Sequence, residues 1–323
     1  MSAVTYPAGT DARAPAEVRL RRLYAALSLT TFVSVLVLIT VGSIVRVTGN
    51  GLGCPDWPLC YGQVVPPLQL SAWVEFSHRF IGAVTGAQIA ALALLAWKAH
   101  RHEPWVIGPA TALIPLLALQ VSLGGLHVLL ELPASSGWTH TAVAMAIAGV
   151  AVTQVGVTHP AARALSARAG AVVARDRGLP VILPVTAVIT YLLILTGSYV
   201  TRSGASLACP AFPYCGAGET AVVFPELVKA QLLHRFLAFG VAITACLTLW
   251  RLVQAARAEA GLRAAALVLT VLIAVQIGLG MTNVLLRLPP WSRTLHLLVA
   301  GLLWTGLVLL WTVLQRREAA PAA

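Results

Sequence analysis

Eight runs of roughly 20 apolar residues dominate this sequence, at about 24–47, 73–97, 106–130, 138–158, 180–201, 229–252, 265–286 and 294–314. Each is long enough to cross a bilayer. Of the 323 residues 58% are hydrophobic and 10% charged, far from the composition of a soluble domain. The first run is too long and too far from the N-terminus to be an ordinary cleaved signal. It also has a counterpart at 180–201. The expected fold is therefore an all-α integral membrane protein with eight transmembrane helices.

The formal net charge of +11 could suggest a nucleic-acid partner, but its placement argues otherwise. With the N-terminus inside, the inner segments hold most of the 22 basic residues, among them Arg13, Arg19, Arg21, Arg22, Arg163, Arg168, Arg316 and Arg317. This positive-inside bias sets both termini in the cytoplasm and the cysteine-bearing loops on the outer face of the cell membrane. Anionic lipid is the expected partner of the basic segments, and no nucleic-acid partner is expected.

The second half re-reads the first. Gly42-Ser43 matches Gly197-Ser198, and Cys54-Pro55 with Pro58-x-Cys60 matches Cys209-Pro210 with Pro213-x-Cys215. His78-Arg79-Phe80 matches His234-Arg235-Phe236, Gln120-x-x-x-Gly124 matches Gln276-x-x-x-Gly280, and Leu132-Pro133 matches Leu288-Pro289. An even number of helices per half gives both halves the same orientation, so the repeats are parallel. The expected organisation is a cytoplasmic tail over 1–23, a four-helix bundle over 24–158, a basic Ala-rich cytoplasmic linker over 159–179, a second four-helix bundle over 180–315 and a tail over 316–323. Short loops between helices three and four make them antiparallel neighbours. Gly124, Gly125, Gly278 and Gly280 are expected to let helices approach closely.

His140 follows His78 by 62 residues, and His296 follows His234 by the same 62. All four lie within about two turns of the start of an apolar helix. Histidines inside a membrane are costly and usually functional. A haem in a bundle needs one imidazole on each side of the ring, from different helices, and each half supplies that. Zinc usually takes four ligands, so two histidines per half are too few. His100, His102 and His159 fall in inner loops and are expected to be solvated. His127, whose counterpart is Asn283, is expected to hydrogen-bond near the site.

Glu75 precedes His78 by three residues, and its counterpart is Gln231. A carboxylate beside a haem ligand can accept or donate a proton or stabilise a cation, which a glutamine cannot. The simpler reading is an interfacial carboxylate paired with Arg79 at the i,i+4 spacing. Cys54 with Cys60 and Cys209 with Cys215 fall in outer loops, in an oxidising compartment where close cysteines pair. Cys209–Cys215 reads as a staple. A redox role stays open for Cys54–Cys60, because an exposed disulfide can exchange with a thiol partner. Cys246 is expected to be inert packing. Arg46, Arg79, Arg202 and Arg235 lie at the outer interface, facing haem propionates or snorkelling to headgroups.

Gly49-Asn50-Gly51-Leu52-Gly53-Cys54, Trp57-Pro-Leu-Cys60 and Glu75-x-x-His78-Arg79, with the duplicated eight-helix plan, resemble the haem A synthase family in its bacterial form with two outer cysteine pairs. The resemblance implies that a ring methyl of haem O is oxidised to a formyl group by successive hydroxylation with loss of water, giving haem A for terminal oxidases. It implies haem O between His78 and His140, a permanent haem B between His234 and His296, and Glu75 as the catalytic carboxylate. Haem O would come from a farnesyltransferase, and electrons would leave to an acceptor or a thiol-disulfide partner. The Pro-Asp after Cys54 departs from the family pattern and bears on the loop's geometry. Two other readings are a di-haem b-type electron-transfer cytochrome and a haem carrier or transporter. The pigment discriminates: a synthase should yield haem B with haem O or haem A, and the alternatives haem B alone.

Overall fold

The computed structural model describes residues 15–212, 215 and 225–316. Arg13, Pro213 and Arg317, and part of each expected tail, lie outside the described residues. Among the described residues there are nine α-helices: α1 (Pro15–Val47), α2 (Leu70–Ala99), α3 (Pro104–Leu129), α4 (Ala134–Thr158), α5 (Pro160–Arg175), α6 (Leu179–Arg202), α7 (Pro225–Ala255), α8 (Ala260–Leu285) and α9 (Pro290–Gln315). All except α5 are long and apolar enough to cross a membrane.

Two stretches outside the expected spans are helical. Helix α1 begins at Pro15, inside the stretch assigned to the tail. Proline is pre-organised for the first helical position, and Glu17 pairs with Arg21 one turn later at 3.1 Å, which extends the helix past its apolar run. The linker is largely helix α5. Its apolar side, Ala162, Ala169, Val172 and Val173, is buried against α4, α7 and α9. Its arginines lie on the other side, apart from Arg175, which donates to the Ala255 carbonyl at 3.1 Å.

Helix α1 packs on α2 and α4, and α3 packs on the same two. Likewise α6 packs on α7 and α9, and α8 on the same two. The groups meet through α4 on α9, α1 on α9 and α4 on α6. Helices α4 and α9 are the central pair: 61% and 56% of their most apolar stretches are buried, against a third or less elsewhere. Small residues make that contact possible. A Cβ at Gly149 would overlap the Trp304 ring, and one at Gly156 would lie 2.8 Å from Thr312. Polar bonds tie α4 to α6 beside that seam, from Trp138 Nε1 to the Leu195 carbonyl at 2.9 Å and from Tyr191 to the Ala142 carbonyl at 3.0 Å.

The turn between α3 and α4 recurs between α8 and α9. Glu131 and Leu132 have φ of 57° and 63°, and Arg287 and Leu288 have 55° and 65°. In each turn the leucine N–H returns to the preceding helix, Leu132 to His127 and Leu288 to Asn283, both at 2.8 Å. Positive φ in non-glycine residues is uncommon, so the coincidence of two consecutive ones at matched positions marks the same local structure. A proline follows each turn, Pro133 and Pro289, as the N-cap of the next helix.

Candidate haem-type site

Each of the four histidines rests on a helical glycine. A Cβ at Gly42 would lie 2.8 Å from His78 Cε1, and one at Gly197 would lie 2.9 Å from His234 Cε1. The corresponding distance is 3.3 Å both from Gly124 to His140 and from Gly280 to His296. Helix one thus makes room for the imidazole of helix two, and helix three for that of helix four. Gly125 accommodates Trp57 instead, whose ring would lie 2.9 Å from an added Cβ. Gly278 meets nothing within 4 Å. The expectation of close approach fails there, because its face turns away from neighbouring helices.

Gln120 Nε2 lies 3.1 Å from His140 Nε2, and Gln276 Nε2 lies 3.4 Å from His296 Nε2. The Nδ1 atoms of His78, His140 and His296 are buried without a hydrogen-bond partner. Buried polar atoms are nearly always satisfied, so three such orphans at repeated positions mark imidazoles that the fold has not committed to hydrogen bonds at Nδ1. His234 and His296 line one cavity, with an empty volume of ≈ 1770 Å³ counting its open mouth. Its walls are mostly aliphatic, and Arg46, Arg202 and Arg293 also border it. Arg202 and Arg293 both lie close enough to Arg46 to repel it.

The cysteine pairs form disulfides, Cys54–Cys60 and Cys209–Cys215. Cys54 and Cys60 are 0% and 1% exposed. An outer-loop pair is expected to be exposed. The loop instead folds it down onto Ala72 of α2, so thiol exchange requires the loop to open first.

Below each disulfide sits a clasp. Glu75 Oε2 accepts the Cys54 N–H at 2.8 Å, and Gln231 Oε1 accepts the Cys209 N–H at 2.5 Å. Both side chains are buried, at 4% and 3% exposure. The second atom of each goes elsewhere. Glu75 Oε1 accepts from Arg79 at 2.5 Å, so the i,i+4 pair forms, whereas Gln231 Nε2 donates to the Ser206 carbonyl at 2.7 Å.

The four interfacial arginines separate into two kinds. Arg79 donates to the carbonyls of Cys54, Asp56 and Leu59, and Arg235 to those of Cys209 and Ala211. Both tie a cysteine loop to its helix. Arg46 and Arg202 line the cavity, where Arg293 and Arg235 itself join them. Asp56 accounts for the departure in the first loop: its carboxylate accepts the Gly62 and Tyr61 N–H groups at 2.7 and 2.6 Å. Those backbone bonds, the one from Gly62 foremost, hold its pKa below the usual carboxylate value.

His127 Nδ1 lies 2.7 Å from Ser136 Oγ, and its Nε2 lies 3.4 Å from Arg202. It contacts the other half of the chain rather than a histidine. His100 is not solvated but 6% exposed, because its ring packs on Tyr24 and its Nδ1 meets Glu103 at 3.2 Å. His102 is exposed and His159 half-buried. Cys246 is exposed rather than packed, on the outward side of α7. The sequence reading assigned no role to Thr196, Gly42 or Gly197. Thr196 stands one residue before a matched glycine, where the other half has Val41, so the repeat itself carried the signal.

Residues 25–308 match the model of the cytochrome oxidase assembly protein family COX15-CtaA. The chain is 28% identical over 303 residues to a heme A synthase of Shouchella clausii, covering 91% of this chain and 97% of that one. It is 32% identical over 219 residues to a heme A synthase of Alkalihalophilus pseudofirmus, covering 64% and 69%. A heme A synthase of Halalkalibacterium halodurans is 27% identical over 295 residues, covering 90% and 96%. With a match that spans eight membrane-length helices and both histidine pairs, the chain belongs to the COX15-CtaA family of cytochrome oxidase assembly proteins.

Proposed function

We propose that this protein is a heme A synthase of the cell membrane, which oxidises a ring methyl of haem O to a formyl group. The observation that carries the reading is a pair of matched histidine sites differing in one buried group, Glu75 against Gln231, in a family whose relatives bear that name. In this reading the chain is two copies of one four-helix unit, with the termini in the cytoplasm and the cysteine loops outside.

The residues present fit two haems. His78 and His140 would hold the substrate haem O, and His234 and His296 a permanent haem B. The orphaned imidazole nitrogens support this, as do the glycines that seat each ring. Arg46, Arg202 and Arg293 suit the two propionates of the second-half haem, since three clustered cations at the edge of an apolar cavity call for anions. Arg79 and Arg235 hold the loops. A bound haem B would supply one-electron transfer.

The substrate methyl gains a hydroxyl from water, losing two electrons and two protons. A second such step gives the geminal diol, which releases water to leave the formyl group. Four electrons leave in all, to an acceptor of the membrane or outer face. Glu75 takes a proton from the attacking water or stabilises the electron-poor methyl carbon. The clasp around Cys54 keeps that carboxylate one helical turn from His78. The buried Cys54–Cys60 disulfide closes the loop over the site.

Haem extracted from protein co-expressed with a haem O source tests the reading. Haem B together with haem O or haem A is expected. Haem B alone would overturn it in favour of an electron-transfer cytochrome.

A further inference from the structure

The two helix-two imidazoles differ in what holds their second nitrogen. His234 Nδ1 lies 2.8 Å from Thr196 Oγ1. The same hydroxyl donates to the Leu193 carbonyl at 2.8 Å. A hydroxyl has one proton, and with that proton on Leu193 it can only accept from the imidazole. His234 is therefore held as the Nδ1–H tautomer, which leaves the Nε2 lone pair for a ligand. The first half has no equivalent. Val41 precedes Gly42 as Thr196 precedes Gly197, and His78 Nδ1 is buried without a hydrogen-bond partner. The Leu38 carbonyl, the counterpart of Leu193, faces the His78 ring but makes no hydrogen bond of normal geometry to its Nδ1. The helix-four imidazoles do not differ: Nδ1 is unpartnered in both, and Nε2 faces a glutamine in both.

Ligating histidines almost always donate their other ring N–H. That bond fixes the ring and raises its basicity, and its loss typically costs 10–100-fold in metal affinity. We infer that Thr196 is a positioning residue that makes the second-half site retain its haem, and that Val41 leaves the first-half site free to exchange. A site that takes in a substrate haem and releases a product haem requires the second property, and a permanent cofactor requires the first. The inference rests on the ligand assignment proposed above.

Transfer of haem from the purified, loaded protein to excess apomyoglobin tests it, with the remaining haem identified by extraction. Thr196→Val should lose haem B roughly 10–100-fold faster than wild type. Its midpoint potential should move to more positive values, and Thr196→Ser should restore both. Val41→Thr should slow the loss of haem O from the first half. Unchanged haem B loss in Thr196→Val would overturn the retentive role, and unchanged haem O loss in Val41→Thr would overturn the exchangeable one. His234→Ala separates the two levels of the argument. If that variant retains haem B like wild type, the ligand assignment itself is wrong. If it loses haem B while Thr196→Val behaves as wild type, the assignment stands and the inference fails.

Discussion

The clasp beneath the first cysteine loop and the clasp beneath the second do the same mechanical job with different chemistry. Glu75 and Gln231 each present one oxygen to a cysteine N–H, at 2.8 and 2.5 Å, from the same register of the same helix. The second clasp shows that an amide is enough to hold such a loop. The charge of Glu75 is therefore surplus to loop holding, and burying a charge is costly unless it is paired. Arg79 supplies the pairing at 2.5 Å. A buried ion pair kept where an amide would serve is the pattern expected of a group retained for reaction chemistry.

The sharpest way to break this comparison is to exchange the two side chains. Glu75→Gln should lower haem A formation by about 10²–10⁴-fold, the usual range for loss of a positioned acid or base, while the loop stays closed. Gln231→Glu should leave the rate within a few-fold of wild type. Pigment analysis of membranes measures both. Equal losses in the two variants would reduce Glu75 to a loop clasp.

A somewhat smaller effect is expected at the glycines. Gly42→Ala and Gly197→Ala place a methyl 2.8 and 2.9 Å from an imidazole carbon. Overpacking of this kind costs about 1–3 kcal/mol. Each variant should lose haem from its own half, haem O for Gly42 and haem B for Gly197, read by extraction. Loss of the wrong haem would reverse the assignment of the halves.

The disulfides come next. Each closes a short loop, for which chain entropy gives about 2–3 kcal/mol. Cys54→Ala and Cys209→Ala should lower thermal stability by similar amounts, but Cys54→Ala should reduce turnover more if, as proposed, its loop covers the half that holds haem O. Parallel melting curves and turnover rates separate the two effects.

The smallest difference lies at the opposite end of the bundles. Glu103 and Glu259 each stand at the N-cap of a third helix. Glu103 meets Arg21, His100 and Arg316, whereas Glu259 meets Arg168 at 3.8 Å. Burial pushes the Glu103 pKa up, but the hydrogen bonds from His100 and Arg21 outweigh it and hold the pKa at about 2. A depressed carboxyl pKa means that the fold favours the ionised form. Its contribution is full above the ordinary value of 4.5 and is lost as pH falls towards about 2. Glu103→Gln should lower stability by about 1 kcal/mol near neutral pH, with the gap to wild type narrowing below about pH 4.5. A gap that widens on acidification would contradict the assignment.

The helices, the repeat and the four histidines were legible in the sequence because each is a pattern of spacing. Apolar length gives a span, and matched spacing gives matched position. Burial was less legible. His100 reads as a loop residue and is covered by Tyr24, and Cys54–Cys60 reads as an outer-loop pair and is folded inward. Both depend on which neighbours cover them, and spacing along one chain does not encode that. The arginines show the same limit. Four look alike in sequence, yet Arg79 and Arg235 grip loop carbonyls while Arg46, Arg202 and Arg235 line the cavity, a division that spacing does not give. Thr196 against Val41 was visible in the repeat but carried no meaning until His234 was seen beside it.

Arg46 ends α1, in the first half, and lines the cavity of the second. Arg202 ends α6, in the second half, and reaches back to His127 and Gly137 of the first. The first half thus lends the second a cation, and Arg202 ties the second half back to the first. A chain cut within α5 should therefore yield two fragments that bind haem poorly alone and regain it when co-expressed. Under the proposed two-unit reading, two copies of either half should be unable to stand in for the pair.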